Sequence, residues 1–366
     1  MTTVTDLKKT PFHKAHVEHG ARLVEYTGWE MPLLYTSIIE EHRQVRQAGG
    51  LFDVSHMGRF TFKGRDAGRF LDRACTRDIA TMQDRQVRYA LVCNEQGGCR
   101  DDVLVYKHSD TEYTMVCNAA NRLKLVDHFA QVKGDLVYRF ADITEKTAMV
   151  ALQGPKVMDA LAGFSKEIPT LKRYRFTEKS LFIAKFLVSR TGYTGEDGVE
   201  VILPASMAGK AVEMILKNMD DGAIMPCGLG ARDSLRLEAG MALYGHEIDE
   251  SRNAIDAGLS WILDKKSDFI GKKTIFDKNK QKEKIIFFKM LERGIPREGC
   301  EIFCDDKKVG YVTSGTFSYL LNTGLGIAYM DRAIHEYNNS TVMIRDKEYK
   351  IELKQYPFLT DTSLRT

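Results

Sequence analysis

A glycine pair set between two short apolar runs constrains this chain more than any other stretch. Residues 89–93 (Tyr-Ala-Leu-Val-Cys) and 103–106 (Val-Leu-Val-Tyr) flank Asn94-Glu-Gln-Gly-Gly-Cys-Arg-Asp-Asp102, and Gly97-Gly98 in that setting predicts a β-hairpin. Two adjacent carboxylates, Asp101 and Asp102, then open the second strand. Side chains alternate across a strand, so Asp102 shares a face with Leu104 and Tyr106, and Asp101 shares the other with Val103 and Val105. One acid must point at apolar neighbours. Desolvation there raises a carboxyl pKa, which suits acid–base work or the orienting of an amine. Taken alone, the segment is more simply a solvated turn, where acids are common.

A chain of 366 residues exceeds one ordinary core, so two or three domains are expected. Hydrophobic content of 43% with 28% charged residues fits a globular protein, and a net charge of +3 gives no reason to expect nucleic acid or an anionic membrane as partner. The seven cysteines are odd in number and form no CxxC pair, which fits a reducing compartment. The first residues carry neither an apolar signal core nor an arginine-rich transit pattern, and no apolar run approaches about 18 residues. A cytoplasmic protein, neither exported nor membrane-spanning, is the expectation.

Along the chain, a helix is expected from Pro11, capped by Thr10 and stopped at Gly20. His13, His16 and His19 share that helix, yet no fourth ligand lies nearby, so chance placement is favoured over a metal site. Residues 37–48 form an amphipathic helix ended by Gly49-Gly50. The following Leu51-Phe-Asp-Val-Ser-His-Met-Gly58 holds Asp, Ser and His, but residues this close on an extended strand cannot align as a triad. A strand edge with Met57 facing a pocket is the better reading. Further elements are helices at 64–75, 121–130 and 156–162 and strands at 113–118, 147–153 and 180–189. They follow no strict βαβ order, which indicates an α+β class.

Residues 189–201 carry glycines spaced GxxGxxG and lead into a strand, not a helix, so phosphate cradling is not expected. Glu200 lies within the apolar Val199-Glu-Val-Ile-Leu203. An unpartnered buried acid would be costly there, and outward-facing is the simpler reading. Cys227-Gly-Leu-Gly230 precedes a helix over 231–240 that puts Arg232 and Arg236 on one face, and Arg232 sits in its first turn, where the dipole disfavours a cation. That placement hints at an anion or carboxylate partner. Leu259-Ser-Trp261 reads as the start of a strand. Residues 264–284 are lysine-rich and read as an exposed connection; beyond 285, short strands separated by turn signals predict an all-β domain, a small barrel or sandwich.

Taken together, these segments resemble the aminomethyltransferase (T protein) family of the glycine cleavage system. The resemblance covers nearly the whole chain. It rests on Leu51-Phe-Asp-Val-Ser-His-Met57, Gly97-Gly-Cys-Arg-Asp-Asp102, Leu152-Gln-Gly-Pro155, Arg190-Thr-Gly-Tyr-Thr-Gly-Glu-Asp-Gly-Val-Glu200, Gly230-Ala-Arg-Asp-Ser-Leu-Arg-Leu-Glu-Ala-Gly240 and Tyr244-Gly-His-Glu-Ile-Asp249. It implies a three-domain cloverleaf with a central cavity: residues 1–280 as two intertwined α+β domains that bind folate, and 285–366 as a β-barrel. The implied reaction moves the one-carbon unit from the aminomethyl-dihydrolipoyl arm of H protein to tetrahydrofolate, yielding 5,10-methylenetetrahydrofolate and ammonia, without a metal.

By the same resemblance Asp102 is the catalytic aspartate and Glu200 the fork for a pterin amine and ring N–H. Met57, Tyr89, Val116 and Tyr193 would wall the ring, Asn118 would donate and accept at its edge, and Arg232 and Trp261 would approach the folate. Two stretches depart from the family pattern. The C-terminal Pro357–Thr366 lacks tyrosines that some relatives carry, and the segment at Ile285 leaves the glutamate-tail contact unassigned, with Lys284 nearby. A folate-dependent demethylase of the same fold and a non-catalytic folate-binding module are the competing classes. The intact signatures disfavour the first and Asp102 the second.

Overall fold

A computed structural model describes residues 6–181, 184–218, 222–263, 268–333, 339–354, 358–359 and 361–364. The hairpin forms as expected. Strand Val87–Cys93 pairs antiparallel with Cys99–Ser109, and Gly97, at φ +83°, takes the left-handed conformation that the turn requires. These two belong to a five-stranded sheet completed by Glu112–Cys117, Gly58–Lys63 and Arg139–Asp142.

Strand parity divides this sheet cleanly. Phe60, Phe62, Ala90, Val92, Val103, Val105 and Met115 all lie in one buried cluster, which also takes in Phe70 and Leu71 of helix Ala67–Ala74 and Leu125 and Phe129 of helix Arg122–Val132. The opposite face carries Tyr89, Asp102, Leu104, Tyr106 and Val116, with Leu104 directly opposite both Tyr89 and Val116. Alternation along the strands thus separates a core face from a site face.

A six-stranded sheet runs Phe176–Leu181, Ala184–Ser189, Gly198–Pro204, Thr147–Gln153, Gly50–Asp53, Met225–Pro226. Its strands come from before and after the five-stranded sheet in sequence, so the two units interlock where the chain crosses at residues 54–57. The buried Arg59 guanidinium holds that crossing by donating to the carbonyls of Ser55, Met57, Thr144 and Thr147. A three-stranded sheet, Lys8–Lys9, Trp29–Leu34 and Arg22–Tyr26, precedes both. The C-terminal unit is a closed six-stranded barrel, whose first strand is Glu283–Met290 and last Lys347–Lys354.

Several local expectations are corrected. The N-terminal helix spans His13–Glu18, while the Thr10 hydroxyl accepts from the N–H of Phe12, the residue just before that helix, and donates to Asp53. Its histidines are separately engaged: His13 with Glu30, His16 with Asp53 and Tyr35, and His19 with the Ala15 carbonyl. Gly50–Asp53 is no edge, since it lies between two other strands. The stretch at 180–189 is part of a hairpin of two strands, and Ser260–Ile262 is a 3-10 turn, not a strand. The lysine-rich connection holds a short helix, Lys272–Ile275, while its residues 264–267 lie outside the described residues. No described helix is long and apolar enough to cross a membrane.

The units are joined by a buried polar network centred on Glu238 of helix Leu229–Glu238. Its carboxylate accepts from His42 Nε2 at 2.9 Å and Arg46 Nε at 2.9 Å, both on helix Ile38–Gln47, and from Ser318 Oγ of the barrel. Arg46 also donates to Glu196 Oε1 at 2.8 Å and to the Thr194 carbonyl at 2.7 Å. Burial alone would raise the Glu238 carboxyl, but the hydrogen bond and charge of His42, the charge of Arg46 and the Ser318 hydroxyl carry it down to about 2. A carboxyl depressed in the folded state stabilises above its unfolded value, and that contribution is lost as pH falls toward 2. Glu238→Gln should therefore cost roughly 3 kcal/mol at pH 7 in denaturant unfolding. The difference from the parent protein should shrink between about pH 4.5 and 2; a difference independent of pH would refute the assignment.

Candidate active site

Asp101 and Asp102 follow the opposite-face rule, and neither is a solvated turn acid. Asp101 is fully buried on the core face, where Oδ2 accepts from the Asn118 N–H at 3.0 Å and Oδ1 from Asn118 Nδ2 at 2.8 Å and Asn121 Nδ2 at 2.6 Å. Asp102 is half-buried on the site face, accepting from Asn118 Nδ2 at 2.7 Å and the Tyr89 hydroxyl at 3.1 Å. Burial pushes both carboxyls upward. The Asp102 charge adds to the rise at Asp101, whereas hydrogen bonds from Tyr89 and Asn118 restrain it at Asp102. Burial and the Asp102 charge also keep the Tyr89 phenol protonated, so it remains a donor.

Glu200 reverses the outward reading. It is 3% exposed, and the cost of burying it is offset by Thr191 Oγ1, which donates to Oε2 at 2.6 Å. Thr191 Oγ1 lies 2.8 Å from Ser189 Oγ, which is 3.4 Å from the Tyr106 hydroxyl on Asp102's strand face. A polar chain therefore links the two sheets. Among the described residues no group bonds the other oxygen of Glu200.

Arg232 sits in the second turn's start of its helix, with Cζ 5.0 Å from the Tyr193 ring centroid, a cation–π arrangement, while its buried Nη1 has no hydrogen-bond partner. Tyr193 is half-buried, its hydroxyl donates to the Ala242 carbonyl, and burial together with the Asp102 and Glu247 charges keeps it protonated. Arg236, one turn on, faces elsewhere: it pairs with Asp233 and Glu247 and donates to Ser314 of the barrel. Trp261 is 62% exposed and stacks on Tyr89, with ring centroids 5.9 Å apart at 19°. Met57, half-buried, and Val116, fully buried, pack in one cluster with Leu104 and Tyr106.

The structure thus gathers Tyr89, Asp102, Asn118 and Trp261 directly, and carries Tyr193 with Arg232 beside them. Glu200 joins through Thr191, Ser189 and Tyr106. Sequence reasoning weighed His56 only as a triad member and set it aside; its side chain is buried, Nδ1 has no hydrogen-bond partner, and burial pushes the imidazole down to about 4, with the Arg232 charge contributing. Sequence reasoning missed Asn121 beneath Asp101; an amide three residues after Asn118 was the available signal.

Residues 12–267 match the GCVT N-terminal domain family and 284–359 the glycine cleavage T-protein C-terminal barrel domain. The chain belongs to the glycine cleavage T-protein family. An aminomethyltransferase of Caldanaerobacter subterraneus is 41% identical over 354 residues, 95% of each chain, and one of Listeria monocytogenes is 38% identical over 97% of this chain and 99% of its own. The crystal structure of glycine cleavage system aminomethyltransferase T from Bartonella henselae superposes with a TM-score of 0.90 at 30% identity, covering 98% of this chain and 99% of that one. The activity is that of an aminomethyltransferase of the glycine cleavage system, and the mixed α+β fold with a C-terminal barrel is the family's.

A partially buried guanidinium with an unbonded N–H is held for something other than stability. Arg232→Met should leave thermal stability unchanged or raise it by up to about 1 kcal/mol while weakening ligand binding. A clear loss of stability in thermal unfolding would show that the parent cation is already satisfied.

Proposed function

We propose that this chain performs aminomethyl transfer with tetrahydrofolate as acceptor and lipoylated H protein as donor, and that Asp102 is its catalytic residue. The observation that carries the reading is the half-buried Asp102 carboxylate, held between Tyr89 and Asn118 on the site face. The surrounding groups fit a reduced pterin: Trp261 stacked on Tyr89 offers an aromatic wall, the free oxygen of Glu200 an anchor for an amine, and the unbonded Arg232 N–H a contact for an acceptor oxygen. When bound, tetrahydrofolate supplies the nucleophilic nitrogen that takes over the one-carbon unit.

The protein's part is positioning and proton management. Asp102, raised by burial, can receive a proton at Oδ1 or Oδ2 and stabilise positive charge that develops beside it. Tyr89 and Asn118 limit its motion, so the carboxylate faces the site in one orientation. Met57, Leu104 and Val116 exclude water from that side, which strengthens the field of Asp102. Holding donor and acceptor against each other supplies much of the remaining acceleration.

Purified protein incubated with tetrahydrofolate and aminomethyl-loaded H protein should release ammonia and 5,10-methylenetetrahydrofolate; folate binding without turnover would sink the reading. Asp102→Asn should retain folate binding and lose about 10²–10⁴-fold in turnover, within the range of a removed acid–base group. Turnover at the parent rate would exclude Asp102 as catalytic. Tyr89→Phe removes a donor that favours the charged carboxylate, so the pKa of Asp102 rises and the acid limb of the pH–rate profile moves to higher pH. A shift to lower pH, or none, would contradict that hydrogen bond's role.

A further inference from the structure

Both N–H bonds of the Asn118 amide are committed. Nδ2 donates to Oδ1 of Asp101 at 2.8 Å and to Oδ1 of Asp102 at 2.7 Å, and an amide nitrogen carries only two hydrogens. The flipped amide would press its oxygen against two carboxylate oxygens at those distances. The two acids therefore dictate which way Asn118 points.

Asp101 is the immovable member of this arrangement. It is fully buried, and all three of its hydrogen-bonding neighbours are N–H donors: the backbone and side chain of Asn118 and the side chain of Asn121. Asn118 Oδ1 is left facing away from the acids, and it accepts from no group among the described residues. Tyr89 donates its hydroxyl to Asp102 and Tyr193 donates its own to the Ala242 carbonyl, so neither is an open donor to a ligand. This corner consequently offers a ligand two acceptors, the Asp102 carboxylate and Asn118 Oδ1.

A tetrahydropterin ring carries N–H at both N5 and N8, whereas a fully oxidised pterin presents bare lone pairs at both. Acceptors facing N–H bonds form hydrogen bonds; acceptors facing lone pairs lose them and repel. We infer that this corner of the site selects the reduced, N–H-bearing ring against the oxidised one, and that Asp101 is the positioning residue that enforces the choice by fixing the Asn118 amide. The inference rests on the folate reading of the site. Without Asp101, Asn118 could turn its NH₂ toward an oxidised ring and accept either redox state.

Sites built to hydrogen-bond an N–H reject analogues lacking it by about 10⁴–10⁵ at the upper end; for a half-buried corner about 100-fold is expected. The test is the ratio of dissociation constants for tetrahydrofolate and folic acid, measured anaerobically on the full chain by fluorescence titration. The parent protein should favour tetrahydrofolate by about 100-fold. In Asp101→Asn an amide must set its own NH₂ against at least one N–H neighbour, freeing Asn118, and the ratio should fall tenfold or more, chiefly through tighter folic acid binding. Asn118→Leu, which removes the acceptor and leaves Asp101 in place, should lower the ratio as well. A purely structural role would weaken both ligands alike and leave the ratio unchanged. A parent ratio near one, or an unchanged ratio in either variant, overturns the inference while tetrahydrofolate binding and turnover keep the functional reading intact. If the parent protein binds no tetrahydrofolate, the reading fails and the inference with it.

Discussion

The Glu238 carboxylate, buried between His42, Arg46 and Ser318, is the interaction on which the rest of the arrangement depends. It joins two helices to the barrel, and through Arg46 it reaches Thr194 and Glu196 in the loop that bears Tyr193. Ser363, near the C-terminus, closes the same loop by donating to Glu196 Oε2 and accepting from the Asp197 N–H at 2.8 Å. Arg232 lies on the helix that Glu238 ends. One buried charge cluster therefore sets how Tyr193 and Arg232 stand against the sheet face that carries Asp102. Such a cluster costs desolvation, and removing a single partner is more damaging than replacing the whole by apolar groups. Its use here is geometric: it ties the two helices and the barrel together through specific hydrogen-bond partners.

Within that frame the site is built by alternation. The face of the five-stranded sheet that holds Phe60, Val103 and Val105 is covered by helices, and the other is left for Tyr89, Asp102 and Leu104. The two adjacent acids divide the work accordingly. Asp101 lies on the covered face and orients the Asn118 amide; Asp102 lies on the open face, where the proposed function places the ligand. Burial raises both carboxyls, Asp101 to about 8, and the donors that the protein supplies, chiefly Tyr89, Asn118 and Asn121, offset that rise only in part.

Much of this was legible in the sequence. Gly97-Gly98 between apolar runs marked the hairpin, and strand parity required Asp101 and Asp102 to diverge. Periodicity alone could not say which face would be covered, because that depends on helices contributed by residues 67–74 and 122–132. The resemblance selected Asp102. Glu200 was misjudged from local pattern, since the partner that makes its burial tolerable, Thr191, sits nine residues away across a turn. Trp261 was read as strand from its apolar neighbours, but tertiary stacking on Tyr89 holds it in a short turn. His42 and Arg46 fall on the helix expected to be amphipathic, and nothing local marks them or Glu238 as buried; their burial arises only where three units meet, which no short window of sequence records.

The most direct measurement of the whole account is a crystal structure of the protein with tetrahydrofolate bound. The account predicts the pterin ring on the site face, with Asp102 and Asn118 Oδ1 against ring N–H groups, Glu200 at the exocyclic amine end and Tyr193 beside the ring. A pterin seated elsewhere would contradict it, for example in the cleft of about 920 Å³ lined by Arg252, Asp256, Tyr311 and Arg332.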